Sequence, residues 1–185
     1  DVIMLPQLLK QAGYATAMFG KWHLGGSSPN LPNDRGFDEF FGFLSGSSHY
    51  GPKHGPTQRH NREPYDEEGH LTELFTKKSI DFINQNKTRP FFLYLAFNAP
   101  HGPIDNAAEL IPQYVKKYTD RGVPYERARF CAVVDHMDEG IGKVLKTVDT
   151  AGIANNTIVI FTSDNGAATS KWSGSNGQFR GEKGQ

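Results

Sequence analysis

A chain of 185 residues with twenty Lys plus Arg against twenty Asp plus Glu carries no formal net charge. No global field therefore recruits nucleic acid or an anionic membrane, and any attraction for anions must come from local clusters. The length is about one domain's worth, no run of about 18 apolar residues exists to cross a bilayer, and the single cysteine, Cys131, excludes an internal disulfide and a multi-cysteine metal site.

In chain order, Leu5, Leu8, Leu9 and Ala12 fall at helical spacing. Pro6 is tolerated only in a first turn, which sets the helix start near Met4 or Leu5, and Gly13 suits the left-handed cap that ends it. A β-prone run over residues 14–19 follows, stops at Gly20, and is succeeded by Lys21 and His23. If the chain stays extended through Gly20, residues two apart point to one side, so Lys21 and His23 face one site. Residues 25–69 are the least regular part, with Phe37, Phe40, Phe41 and Phe43 expected to fold a loop onto the core. His49, His54 and His60 lie in a Gly- and Pro-rich stretch with no recognisable ligand spacing and read as solvated loop histidines. A loop this long is functional or disordered, and residues 45–65 read as a substrate-shaping loop.

Thr72 is placed to cap a helix reaching about Asn86, burying Leu71, Leu74, Phe75, Phe82 and Ile83. The run Pro90-Phe-Phe-Leu-Tyr-Leu-Ala-Phe97 is continuous rather than alternating, as in a strand covered on both faces of a parallel sheet, and it leads into His101. Pro124 opens a helix to about Thr150, ended by Gly152. Its expected seam is Cys131, Val134, Asp138, Ile141, Leu145 and Val148, with Cys131 a buried inert thiol and Asp138 a structural carboxylate held by donors. A last β-branched run, residues 157–162, precedes Ser163-Asp164-Asn165-Gly166. Helices and strands alternate along the whole chain, which predicts a layered, mostly parallel α/β sheet with helices on both faces.

Each of the three expected strands thus ends in a chargeable group: Lys21 and His23, then His101, then Asp164 with Asn165. Ligands of open α/β sheets bind beyond the carboxyl ends of the strands. Asp164 and Asn165 are oxygen donors suited to calcium or magnesium, with a plain Asp-Asn-Gly turn as the alternative. The glycine-rich stretch around Arg180 and Lys183 returns a second cation to the same anion, or is an exposed tail.

These residues resemble a known family at four points. Gly13-Tyr14-x-Thr16 with Gly20-Lys21-Trp22-His23-Leu24-Gly25 is similar to the second signature of the type I sulfatases, members of the alkaline-phosphatase-like superfamily. The strand running into Pro100-His101-x-Pro103, the Ser163-Asp164-Asn165-Gly166 segment and Arg180-Gly-x-Lys183-Gly resemble later sulfatase motifs in the right order. The resemblance spans the chain. It implies a sulfuric ester hydrolase acting on a sulfated small molecule or glycan. Lys21 and Lys183 would then meet the sulfate, His23 would support the nucleophile, His101 would bind sulfate and give the leaving group its proton, and Asp164 with Asn165 would provide half of a divalent metal site, calcium by preference. It also implies export to the medium, periplasm or lysosome.

The departures are omissions. The family nucleophile is a formylglycine made from Cys or Ser in Cys/Ser-x-Pro/Ala-x-Arg, and no such motif occurs here. Its paired N-terminal acids, which complete the metal site, are also lacking. Residues 1–185 are therefore expected to be the middle of a catalytic domain, with the nucleophile segment before Asp1 and a C-terminal subdomain after Gln185, and to be inactive alone. The alternatives are a phosphomonoester or phosphonate hydrolase of the same superfamily and a non-catalytic sulfated-glycan binder.

Overall fold

The computed structural model describes residues 2–51, 57–65, 67–168 and 174–185. It contains α1 (Leu5–Gln11), β1 (Ala15–Lys21), a 3-10 turn (Pro32–Arg35), β2 (Glu39–Phe43), β3 (Gln58–His60), α2 (Leu71–Asn86), β4 (Phe91–Ala96), α3 (Ile104–Glu109), α4 (Pro112–Thr119), α5 (Tyr125–Thr150) and a 3-10 turn (Ala154–Asn156). The sheet runs β3-β2-β1-β4. β2, β1 and β4 are parallel and β3 joins antiparallel, so the expected mostly parallel α/β sheet is present.

β1 lies at the centre and is buried almost throughout. Alternate side chains serve opposite faces, as strand geometry requires. Ala15, Ala17 and Phe19 join Phe41 and Phe43 of β2 against Leu71, Leu74, Phe75 and Phe82 of α2. Met18 points the other way and packs with Phe37, Phe40, Trp22 and Leu44 beside Met4 and Leu31. Each such buried phenylalanine contributes roughly 1.5–3 kcal/mol. An exposed ion pair such as Lys116–Asp120 or Lys143–Glu139 gives at most about 1 kcal/mol. Apolar packing therefore holds the layers together.

The irregular stretch is more ordered than expected: β2, β3 and the turn at Pro32 all fall inside residues 25–69. The aromatics expected to fold a loop inward instead build a strand, since Phe41 and Phe43 face α2 while Phe40 faces the opposite layer. His49 and His60 are exposed, and His54 lies outside the described residues. α2 buries all five predicted side chains, although its cap is His70, whose side chain accepts from the Thr72 backbone N–H at 3.2 Å. β4 is only half-buried, with Tyr94 exposed, because β4 is an edge strand among the described residues.

Two expectations for the C-terminal half are corrected. Residues 157–162 form no ladder, and Ile158 and Phe161 are 89% and 79% exposed. A β-branched run has strand propensity but needs a partner edge, and none of the described strands provides one. The expected seam of α5 holds at Val148, which is buried, but Asp138 is exposed and Cys131 half-buried, and the rest of the buried face is Ala128, Ala132, Val133, His136 and Gly140. Close approach selects small residues here. A Cβ on Gly140 would lie 2.6 Å from Thr76 Oγ1 of α2, so the bulkier stripe is displaced to the flank.

Among the described residues, His136 is the one ionisable side chain buried on that face of α5. Its ring lies 4.5 Å from that of His70 and 5.1 Å from that of Tyr114, its Nε2 is 3.3 Å from Glu73, and its Nδ1 has no hydrogen-bond partner among the described residues. Burial pushes the imidazole below the ordinary histidine range, with the Glu73 carboxylate opposing.

Two outcomes follow from this packing. Gly20→Ala should destabilise the protein by about 3 kcal/mol or more, read as a lower urea midpoint, because its φ is +125° and its Cβ would meet the Ala96 carbonyl oxygen at 1.9 Å. Below about pH 6.5 the unfolded chain takes up a proton that the folded His136 refuses, so stability should fall as pH drops from 7. Urea midpoints at pH 7.5 and 5.5 should differ less in His136→Gln than in the unsubstituted protein.

Candidate functional site

The carboxyl ends of β1 and β4 lie side by side, with Gly20 paired to Ala96 and Lys21 to Phe43 of β2. Backbone approach is extreme at this edge. A Cβ on Gly42 would meet the Gly20 carbonyl oxygen at 1.9 Å, so Gly20 and Gly42 are glycine by steric necessity and the strand ends are drawn tightly together.

Lys21 is the last residue of β1 and is half-buried. Desolvation lowers its ammonium below the ordinary lysine range; the Asp164 carboxylate opposes that shift and the Lys183 ammonium adds to it. Lys21, Asp164 and Lys183 therefore share one electrostatic environment, although more than 140 residues separate the first from the others in the chain. The last two are tied by backbone: Lys183 N–H donates to Ala167 O at 3.2 Å. Asn176 reinforces this, accepting from Ala167 N–H at 2.7 Å and donating to Gly181 O at 2.6 Å. Arg180 is exposed.

His23 does not continue the strand. Its φ is +55°, so the two-residue alternation expected to align it with Lys21 ends before it. Trp22 anchors the departure: its backbone N–H donates to Phe43 O at 3.0 Å and its indole to Asn30 O at 2.8 Å. The His23 ring, exposed to solvent, turns onto the loop after β2, where a Cβ on Gly46 would lie 2.7 Å from its Cε1 and Nε2.

His101 follows β4 in a tight turn closed by its own N–H to Asn98 O at 2.7 Å. Its Nδ1 lies 2.8 Å from Gly102 O. A carbonyl oxygen only accepts, so Nδ1 carries hydrogen and Nε2 is the nitrogen left for another group. The His101 carbonyl accepts from the hydroxyl of buried Tyr50 at 2.8 Å.

The predicted residues thus fall into two groups, with Asn165 in neither. Lys21, Asp164 and Lys183 interact through charge, while the loop of residues 45–51 lies against the His23 ring at Gly46 and bonds the His101 carbonyl through Tyr50. That loop is itself braced: Gln58 of β3 donates to Ser48 Oγ at 2.7 Å and accepts from Tyr65 OH at 2.7 Å. Tyr50, Gly46 and Asn176 were not singled out by sequence, since a lone aromatic, glycine or asparagine in an irregular stretch carries no spacing signal.

Asp164 and Asn165 are exposed. Asn165 Nδ2 donates to Gly166 O at 2.9 Å, which leaves its amide oxygen for another partner. This donor set, a carboxylate and an amide oxygen, fits a hard divalent cation. It is only part of a coordination sphere: among the described residues no cluster of three or more His, Cys, Asp or Glu could hold a metal.

Comparison with known proteins identifies the family and the fold. The family model described as Sulfatase matches residues 3–185. The chain is 37% identical to N-acetylgalactosamine-6-sulfatase of Mus musculus over 95% of its length and 36% of that protein's. It is 34% identical to Arylsulfatase J of Mus musculus over 100% of its length and 32% of that protein's. The crystal structure of Ps i-CgsB in complex with k-i-k-neocarrahexaose superposes with TM-score 0.83 at 30% identity, covering 92% of this chain and 42% of that one. PsFucS1 sulfatase from Pseudoalteromonas sp., 24% identical with TM-score 0.71, shares the fold. The chain spans about a third of the length of the curated relatives it matches.

The electrostatics of Lys21 give a direct test. In lysine-labelled protein, the pH titration of its 13Cε resonance should shift to lower pH in Asp164→Asn, which removes the opposing carboxylate, and to higher pH in Lys183→Met, which removes a like charge.

Proposed function

Because the chain belongs to the sulfatase family, we propose that the whole protein is a sulfuric ester hydrolase and that residues 1–185 are the part of its catalytic domain that receives the sulfate. The observation that carries this reading is the convergence of Lys21, Lys183 and Asp164 on one electrostatic environment beside two histidines at the carboxyl edge of a parallel sheet. Two ammonium groups at one spot repel each other unless an anion or carboxylate lies between them. A sulfate monoester supplies that anion.

The roles follow from the chemistry of each group. Lys21 and Lys183 meet charge on the sulfuryl oxygens, the electrostatic contribution that is usually largest in such transfers. His101, with Nδ1 hydrogen-bonded to Gly102 O, offers Nε2 to the leaving oxygen as proton donor. His23 orients the nucleophile. Asp164 and Asn165 hold a divalent cation, calcium in preference to magnesium, which when bound neutralises sulfate charge. Formylglycine, the family nucleophile, would supply the attack on sulfur; no Cys/Ser-x-Pro/Ala-x-Arg sequence lies within residues 1–185.

The substrate class is a sulfated glycan. Support comes from the carbohydrate bound to Ps i-CgsB and from the sugar in the name N-acetylgalactosamine-6-sulfatase. Sulfate in preference to phosphate is supported by relatives named as sulfatases along the whole length of the match.

The full-length protein should release phenol from a chromogenic aryl sulfate faster than from the matching aryl phosphate. His101→Ala should lower kcat at least about 100-fold, and chelation of divalent metal should reduce turnover reversibly. Preference for the phosphate ester would move the assignment to the phosphatases, and binding of sulfated oligosaccharide without turnover would make the protein a binder.

A further inference from the structure

Tyr50 lies in the loop between β2 and β3 with its side chain fully buried. Its polar contacts reach three separate elements. The hydroxyl donates to His101 O at 2.8 Å, the backbone N–H to Asn106 Oδ1 of α3 at 2.8 Å, and the carbonyl accepts from Leu71 N–H at the start of α2 at 2.9 Å. The ring packs among Ile104, Ile111 and Val133 in the cluster that joins α3, α4 and α5. A tyrosine so placed needs its hydroxyl satisfied, and the carbonyl it has found belongs to the candidate proton donor.

The His101 peptide is therefore held from both sides, at its N–H by Asn98 O and at its carbonyl by Tyr50. The imidazole projects from that fixed segment with Nδ1 committed to Gly102 O. We propose that Tyr50 is a positioning residue for sulfate ester cleavage: through the His101 carbonyl it fixes the orientation in which Nε2, and not Nδ1, is offered to the leaving oxygen. This rests on the assignment of His101 as the proton donor. In the transfer, the Nε2–H bond breaks as the O–H bond of the released alcohol forms, and the electron pair of the cleaved S–O bond stays on that oxygen. The ring is left as the neutral Nδ1–H tautomer, which the Gly102 carbonyl stabilises. Tyr50 makes no contact with substrate in this scheme. Burial also keeps its phenol protonated, because desolvation raises its pKa, so the donor persists across the working pH range.

The test uses the full-length protein with Tyr50→Phe, which removes one oxygen and keeps the ring. On an aryl sulfate, kcat should fall about 10- to 100-fold with KM changed less than about two-fold, since the lost orientation matters to proton transfer rather than to sulfate binding. Ile111→Val, which trims the same cluster without touching His101, controls for packing and should leave kcat at the starting value. In histidine-labelled protein, with the His101 resonance assigned through His101→Ala, the neutral ring should be in the Nδ1–H form, and Tyr50→Phe should shift it toward a mixture of tautomers. Unchanged kcat and tautomer in Tyr50→Phe, an Nε2–H ring in the unsubstituted protein, or an equal loss of kcat in Ile111→Val would each overturn the proposal. Should the protein turn over no sulfate ester, the hydrolase reading fails, and the tautomer measurement still decides whether Tyr50 orients His101.

Discussion

The candidate site depends on how closely three strand backbones approach at Gly20. β1 lies between β2 and β4, and at this level it leaves no room for a side chain on either flank: Cβ atoms at Gly20 and Gly42 would overlap carbonyl oxygens at 1.9 Å. Two consequences follow. The three carboxyl ends are pulled together at one edge, and the unusual φ at Gly20 sets the direction in which Lys21 and Trp22 leave the sheet. Glycine costs conformational entropy in a strand interior, and here that cost is offset by the phenylalanine layers packed on both faces of β1.

From that edge the site is completed by elements with little regular structure. Lys21 is presented by a strand, but Asp164 lies in a bend and Lys183 in a turn, on segments joined by Asn176 and a single backbone bond. His23 and His101 are placed by turns and by a braced loop. Rigid strands fix where the site is, whereas side-chain hydrogen bonds fix what each group presents, a division usual where catalytic residues sit on loops over a scaffold. The consequence is an uneven distribution of precision. Tyr50 is buried and bonded to three elements, so the His101 arm is tightly determined, while Asp164 and Asn165 are exposed and bonded locally through Ser163 and Gly166.

The fold was legible where one physical signal dominated. A β-prone run gave β1 and a continuous apolar run gave β4, Pro and Gly punctuation gave the ends of α1 and α5, and helical spacing gave the buried face of α2. α3 and α4 form no part of the sequence reading, although Ile104, Ala107, Ala108, Ile111 and Val115 recur at helical spacing and are all buried, and Pro112 sits in a first turn. The face of α5 is not legible from hydrophobicity because size decides it: Ala128, Ala132 and Gly140 are poor markers of burial by hydropathy but the right residues for close helix contact. Residues 157–162 were misread because strand propensity says nothing about whether a partner edge is present. At the site, residue types were readable from the ends of the strands and from family motifs, but Tyr50 and Asn176 act through long-range hydrogen bonds that no local pattern encodes.

The two buried histidines, His70 and His136, show how the site and the helical layer are mechanically continuous. Tyr50 contacts the His101 peptide with its hydroxyl, while its ring centroid lies 5.3 Å from that of His70. His70 caps α2 and meets His136 of α5 at 4.5 Å. Any rearrangement that charges His136 must find room or a partner in this close-packed stack, and the nearest carboxylate, Glu73, reaches it from the solvent side at 3.3 Å. On this geometry the residue that bonds the His101 carbonyl also packs beside the histidine that joins α2 to α5.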